Sequence, residues 1–260
     1  MKLSDVTGNT SRLFLEFHGD ILDLLNRVPE RGNTVIHELF RRASIKDILE
    51  SLGVPHTEVG KIILDGVEQG FEKIAENEDH FEIFPLSPAL PPTIATVLRP
   101  DPLKNCCLFL VDINVGRLSG LLRMVGCDAE NVDKANTSRA IVAKAVQYGR
   151  ILLTRNKDLL KHRELVYGRL VRNQDPDLQL REIINLYNLE NIIEPYTRCI
   201  SCNSLLADVK KEEIIDRLLP LTKRYFNHFK ICTDCRKIYW QGSHHDKMKK
   251  KLEIIVGKNP

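Results

Sequence analysis

The chain has 260 residues, 43% of them hydrophobic and 28% charged, enough for two ordinary domains or one domain with appendages, soluble and globular. No run reaches the roughly 18 uninterrupted apolar residues of a membrane span, and the N-terminus lacks the charged-then-apolar pattern of a signal peptide; a membrane protein is thereby excluded and a cytoplasmic location expected. The net charge of +3 is unevenly divided, with ten Lys/Arg against sixteen Asp/Glu in residues 1–100 and 28 against 19 in residues 101–260. A basic C-terminal half suits a polyanion such as RNA, because each neutralised phosphate releases counterions. A well-solvated surface is the alternative reading of so moderate an excess.

In chain order, the apolar run from Arg12 to Phe17 reads as a strand, as does the run ending at Leu86. Between them Ser44 can cap a helix whose apolar face is Ile45, Ile48, Leu49 and Leu52, stopped at Gly53 with Pro55 beyond. The segment KIILDG is a strand entering a turn at Asp65-Gly66. Strands flanking one helix in this length predict a small α+β roll. Six prolines between Pro85 and Pro102 mark a linker. Beyond it, CCLFLVD is a continuous apolar run ending at Asp112, the pattern of a strand buried on both faces. A helix follows with Leu118, Leu121, Leu122 and Val125 on one face, then a second helix over about Ser138–Tyr148, the strand RILLT, and a further helix with Asp177 as its expected cap. Alternating strands and helices predict a parallel, doubly wound sheet.

Ligands of such sheets bind beyond the C-terminal ends of the strands. Asp112 ends one strand there, and Thr154, Arg155, Asn156, Lys157 and Asp158 end another. Carboxylates at this edge can hold Mg²⁺ or Mn²⁺ for attack of water on a phosphodiester, with Arg155 and Lys157 positioning phosphates. In the alternative, Asp112 and Asp158 only cap the helices that follow them.

Cys199/Cys202 and Cys232/Cys235 form two CxxC pairs. The cytosol keeps thiols reduced, so paired cysteines point to metal rather than disulfides. Four sulfurs satisfy tetrahedral zinc and leave no open position, which makes the expected zinc structural. A helix is expected between the pairs, around Ile214–Leu219, and Cys106, Cys107 and Cys127 are expected in the core. After the second pair, Tyr239, Trp240 and His244 are interleaved with Arg236, Lys237 and a lysine run. Cations and aromatics so mixed can pair with phosphates and stack on unpaired bases. Packing of Tyr239 and Trp240 beside the cysteine knuckle is the competing reading.

The stretch FLVDINVGRLSGLLRMVGCDA, then YGRILLTRNKDLL, RCISCNSLL and FKICTDCRKIYWQGSH, resembles the PIN-like ribonuclease domain named after the C-terminal part of the Mut-seven exonuclease, over about Cys107–Met248. ASIKDILESLGVPHTEVGKIILDG is similar to the ubiquitin-like domain that often precedes it. The resemblance implies a ubiquitin-like β-grasp domain over residues 1–88, a proline-rich linker over 89–105, a PIN-like parallel α/β domain over 106–195, and a zinc ribbon with a basic tail over 196–260. It also implies metal-dependent RNA cleavage: Asp112 matches the family's first acid and Arg117 and Arg123 its basic helix positions. Ser138 and Asn156 stand where the family usually has aspartates, so Asp158, with Asp133 or Asp128 from the preceding loop, becomes the candidate replacement, and a non-catalytic RNA- or protein-binding relative is the alternative. The ubiquitin-like segment runs into FPLSPALPP rather than ending in Gly-Gly, so docking of a protein partner or RNA is expected of it, not conjugation.

Overall fold

Leu13, Leu15 and Phe17 alternate with more exposed neighbours and are fully buried, the period-two pattern that turns one face of a strand to a core. In the computed structural model, which describes residues 11–27, 29 and 32–256 and not the side chains of 243, 244, 247 and 256, they lie on β1 (Ser11–Phe17). The first unit comprises residues up to 104 together with 156–168. It contains β2 (Thr34–Leu39), the helix α1 (Ile45–Ser51), β3 (Val59–Leu64), β4 (Val67–Glu68) and β5 (His80–Pro85). The strands form one mixed sheet in the order β2-β1-β5-β3-β4. Here β1 runs antiparallel to β2 and parallel to β5, and β3 is antiparallel to β5 and β4. This is the expected ubiquitin-like β-grasp arrangement.

Local chemistry explains its parts. Ser44 accepts a bond from the Asp47 N–H at 3.2 Å and starts α1, whose Ile45, Ile48 and Leu49 are buried. Asp65 and Gly66 both have positive φ, 51° and 77°, the geometry of the tight turn that joins β3 to β4. The proline-rich stretch is anchored within this unit: Arg99 is buried and donates to the Val59 and Thr57 carbonyls at 2.7 and 3.2 Å. His56, also buried, sets one ring nitrogen 2.6 Å from Glu50 and the other 2.7 Å from the Leu165 carbonyl, and Lys157 donates to the Leu24 carbonyl at 2.6 Å. These bonds tie residues 156–168 to the first unit.

The second unit comprises residues 105–155 and those from 169 onward. Its strands β6 (Leu108–Val111), β7 (Asp128–Asn131), β8 (Ile151–Thr154) and β9 (Gly168–Leu170) form a sheet in the order β7-β6-β8-β9, with β6 parallel to β7 and β8. Phe109 to Val111 and Ile151 to Leu153 are all fully buried, as expected of central parallel strands covered on both faces. The helices are α2 (Gly116–Met124), α3 (Ser138–Gln147) and α4 (Pro176–Leu186). Leu118 and Leu122 of α2 and Leu180, Ile183 and Ile184 of α4 are buried, and α2 packs on α4. One cap differs from expectation, that of α4, where Asp177 was expected. Thr137 caps α3 through the Ala140 N–H, and α4 is capped by Asp175, which accepts from the Asp177 and Leu178 N–H groups, with Pro176 at the first helical position.

Beyond α4, β10 (Leu206–Val209), β11 (Phe229–Cys232) and β12 (Ile238–Trp240) form an antiparallel three-stranded ribbon. The expected helix around 214–219 is broken into short turns, with a one-turn helix at Lys211–Ile214, a 3-10 turn at Ile215–Arg217 and α5 (Pro220–Tyr225). Pro220 stops one helical segment and starts the next, since its ring suits only a first turn. Ile214, Leu218, Phe229 and Ile231 make the ribbon's small core. The chain continues into α6 (Ser243–Val256). Cys127 is buried as expected, whereas Cys106 and Cys107 are half-buried. No helix among the described residues is long and apolar enough to cross a membrane.

Candidate catalytic edge and metal centre

Asp112 follows the last residue of β6, and its N–H bonds the Leu153 carbonyl of β8 at 2.9 Å, so it sits at the C-terminal edge of the parallel sheet. It is 5% exposed. Its Oδ1 accepts from the Ile113 N–H at 2.7 Å, capping a 3-10 turn, and its Oδ2 accepts from Asn114 Nδ2 at 2.8 Å and from the Thr154 hydroxyl at 2.5 Å. Asn114 in turn accepts from the Arg155 N–H at 3.0 Å. A carboxylate offers about four lone-pair directions. Three are used here, so Asp112 is both a cap and a group with one acceptor direction left, which fits one direct bond to a divalent cation that keeps several of its waters.

The other candidates lie as follows. Asp133 is exposed and accepts from the Ala135 N–H at 3.0 Å. Ser138 is exposed in the first turn of α3, and Arg117 is exposed on α2. Arg155 is exposed. Asn156, Lys157 and Asp158 belong to the first unit, where Asn156 caps the helical turn Lys157–Leu160 by accepting from the Asp158 N–H at 3.0 Å. Arg123, expected to face RNA, is instead 5% exposed and donates to the Ala129, Ile200 and Ser201 carbonyls at 2.8, 3.0 and 3.1 Å. Burial pushes its guanidinium below the ordinary arginine range. The side chain of His244 lies outside the described residues.

The four cysteines converge. Their sulfurs lie within 4.8 Å of one another, and among the described residues they are the one such group of three or more His, Cys, Asp or Glu side chains. Cys199 and Cys235 sulfurs are 3.6 Å apart, Cys202 and Cys232 sulfurs 3.3 Å. Thiolates on one tetrahedral zinc stand roughly 3.8 Å apart, from the Zn–S length, so the cluster can bind a metal such as zinc. Each knuckle closes through a left-handed residue just after its second cysteine, Asn203 at φ 76° and Arg236 at φ 62°. The Tyr239 phenol lies 3.1 Å from Cys199 Sγ and accepts from the Ile200 N–H at 3.2 Å. Burial, reinforced by the Cys199 sulfur, pushes that phenol up, so it stays protonated as a donor to the ligand. Ser204, whose hydroxyl is 3.5 Å from Cys202 Sγ, leads the forces that draw the Cys202 thiol down to about 6.

The sequence matches the Mut7-C RNAse domain over residues 108–252, more than half of the chain, and Mut7-C ubiquitin over residues 10–90. The chain belongs to the Mut7-C RNAse domain family. No curated protein and no solved structure matches it. The Mut7-C match spans both the parallel sheet and the cysteine ribbon, and within it Asn203, Arg198 and Arg150, which the sequence reading passed over, gather on Asp128; that acid, offered by the sequence as a catalytic replacement, instead opens β7 opposite Leu108, at the other end of β6 from Asp112. Asn203 accepts from the Ala129 N–H at 3.0 Å and donates to Asp128 at 2.8 Å. Arg150 donates to Asp128 at 2.7 Å, Arg198 approaches the same carboxylate at 3.4 Å, and Arg198 also donates to the Gly126 carbonyl. An asparagine just after a CxxC pair, where a left-handed backbone is needed, was the available signal.

Burial alone would raise the Asp128 carboxyl, but bonds from Arg150 and Asn203 overcome it and hold the group below its usual range. A depressed folded-state value means that the stabilisation is fully present above the unfolded value of about 4 and is lost as pH falls through the folded one. Asp128→Asn should therefore lower stability by about 2 kcal/mol at neutral pH, and the difference from the parent should shrink in acid below about pH 4. Urea denaturation at pH 7 and pH 3 checks both; a difference independent of pH would contradict the assignment.

Proposed function

We propose that this Mut7-C protein is a divalent-metal-dependent ribonuclease of PIN-like type, intracellular, with Asp112 anchoring Mg²⁺ or Mn²⁺ at the C-terminal edge of the parallel sheet. The observation that carries the reading is the buried Asp112 carboxylate, held rigid by Ile113, Asn114 and Thr154 with one acceptor direction remaining. The cation would supply Lewis acidity and a more acidic water. The residues of the chain do the rest. Asn114 and Thr154 fix the carboxylate, exposed Asp133, two residues beyond the end of the parallel strand β7, is the acid proposed to accept a proton, and exposed Arg117 and Arg155 attract the phosphate backbone. A structural zinc on Cys199, Cys202, Cys232 and Cys235 is part of the same proposal, as is a docking role for the ubiquitin-like unit.

A second reading, RNA binding without cleavage, is favoured by Ser138 and Asn156, which stand where the resemblance expects acids. Removing two negative charges weakens the attraction for a divalent cation and removes a base. The two readings diverge on incubation with single-stranded and structured RNA plus Mg²⁺ or Mn²⁺. Cleavage is expected, reduced about 100-fold or more in Asp112→Ala and Asp112→Asn, the latter variant retaining the side chain's shape so that a thermal melt separates lost chemistry from lost folding. Cleavage unchanged in both variants would remove Asp112 from the site. Salt-dependent retention of RNA with no product from the parent protein would establish the binding reading.

A further inference from the structure

Residues 203–231 separate the two CxxC pairs, a longer span than the roughly 15–20 residues between the pairs of common zinc sites. Part of the excess is a basic stretch: residues 217–230 hold Arg217, Lys223, Arg224 and Lys230 and no Asp or Glu. Two of these cations are committed, Arg217 to the Arg236 carbonyl at 2.6 Å and Lys230 to Asp208 at 3.2 Å. The side chains of Lys223 and Arg224 make no hydrogen bond or ion pair among the described residues.

Helical spacing sorts the side chains of α5 into two faces. Leu218 and Thr222 are buried, and Phe226 packs against the ribbon's core, so this stripe fixes the helix to the ribbon. Leu221, Arg224 and Tyr225 stand at i, i+3 and i+4 and form a separate face. There Leu221 is 70% and Tyr225 65% exposed. The Arg224 guanidinium carbon lies 5.5 Å from the centroid of the Tyr225 ring, and the tyrosine hydroxyl has no partner among the described residues. Apolar surface left in water contributes nothing to folding. The anchored stripe therefore accounts for the place of α5 in the fold, and the outward face is left for a partner. Trp240, the aromatic that the sequence offers for stacking, has a different task. Its ring centroid is 6.5 Å from those of both Phe226 and Phe229, and a Cβ on Gly242 would meet the indole nitrogen at 2.9 Å, so it braces the core side of the ribbon.

The charge around the outward face of α5 is of one sign, which selects a polyanion, and its exposed ring selects one with bare flat faces. Unpaired RNA offers both, whereas a duplex keeps the phosphates and hides the bases. We propose that this face holds one unpaired nucleotide of single-stranded RNA, its base against Tyr225 and Leu221 and its phosphate on Arg224. The guanidinium gives up an exposed cation–π contact of small worth to reach the phosphate. The assignment rests on the RNA reading above but not on cleavage, and the Asp112 edge has no part in it.

The full-length, zinc-loaded protein is titrated, without added Mg²⁺ or Mn²⁺, into a fluorescein-labelled oligouridylate of twelve nucleotides and into a labelled blunt RNA duplex of the same length, with anisotropy as the readout over a range of salt. Tyr225→Ala is expected to weaken single-strand binding roughly tenfold and to leave the duplex unaffected. Tyr225→Phe, which keeps the ring and drops an unpartnered hydroxyl, should bind as the parent does. Arg224→Ala should lower the single-strand salt slope by about 0.7, the share of one phosphate. Both side chains are exposed, and zinc content with a thermal melt checks the fold of each variant. Unchanged single-strand affinity in Tyr225→Ala, the result a face built for a protein partner would give, would overturn the assignment while leaving the RNA reading standing. Equal weakening of single strand and duplex would overturn it as well, because stacking discriminates between them. No binding of either RNA by the parent protein would overturn both.

Discussion

Treating the zinc-loaded protein with excess chelator should release one zinc ion per chain and unfold residues 199–240. The reason is the small size of what else holds that region. Its apolar core is Ile214, Leu218, Phe229 and Ile231, with Val209, Phe226 and Ile238 against it, far below what a free-standing domain of this length requires. Apparent zinc affinities of structural sites correspond to about 10–16 kcal/mol, and that binding energy is folding energy. Cys232 is fully buried and ends β11, in register with Leu206 of β10, so Cys232→Ser removes a ligand at the centre of the ribbon. The variant should bind zinc at least tenfold more weakly and lose amide protection throughout β10, β11 and β12, as hydrogen exchange would record. The parallel sheet provides the internal control, since Phe109 to Val111 and Ile151 to Leu153 are buried without help from the cysteines and should stay protected. Full protection of the ribbon after chelation, or the absence of stoichiometric zinc from the purified protein, would refute the structural role.

Features with a local cause were legible in the sequence. Ser44 caps α1 because a side-chain oxygen reaches an N–H three residues on, and the strand before Asp112 is recognisable because only a strand covered on both faces is apolar throughout. The cysteine cluster is legible for a similar reason, since a CxxC turn brings two sulfurs to one ion by its own geometry. Features with a distant cause were not. The segment Asp128-Ala129-Glu130-Asn131 carries no strand pattern, yet it is β7, because β6 supplies hydrogen bonds on one side, Arg150 and Arg198 neutralise Asp128, and Asn203 donates a hydrogen bond to it. β2 lies at the sheet edge, and although its burial alternates, no residue is fully buried and the residue types do not follow, with Ile36 on the exposed face and His37 on the half-buried one, so the sequence shows no strand alternation. Asp177 looked like the cap of α4, but Pro176 belongs in the helix's first turn and moves the cap to Asp175. At the candidate site the sequence identified Asp112 but not its environment: Asn114 and Thr154, which orient it, are 40 residues apart.

Arg123 shows the same division and leads to the second large effect. On sequence alone it is a cation at one of the basic helix positions that the family resemblance implies; in the fold it is the strut between α2, β7 and the first cysteine knuckle. One guanidinium satisfies three carbonyls, of Ala129, Ile200 and Ser201, a task suited to a rigid planar fork of donors and unsuited to any other side chain. Arg123→Met keeps the length and the apolar stem but leaves those carbonyls unpaired in a site where the parent side chain is 5% exposed. The loss should be about 3 kcal/mol or more, measured by urea denaturation. Arg123→Lys should lie between the two, because an ammonium is a compact point charge that cannot span all three carbonyls. The RNA readout separates this role from phosphate binding: with the protein still folded, at low temperature and without denaturant, Arg123→Met should leave the salt slope of RNA affinity unchanged, whereas loss of a phosphate contact would reduce the slope by about one. A reduced slope at unchanged stability would return Arg123 to the RNA interface and leave the knuckle held by Asn203 and Arg198 alone.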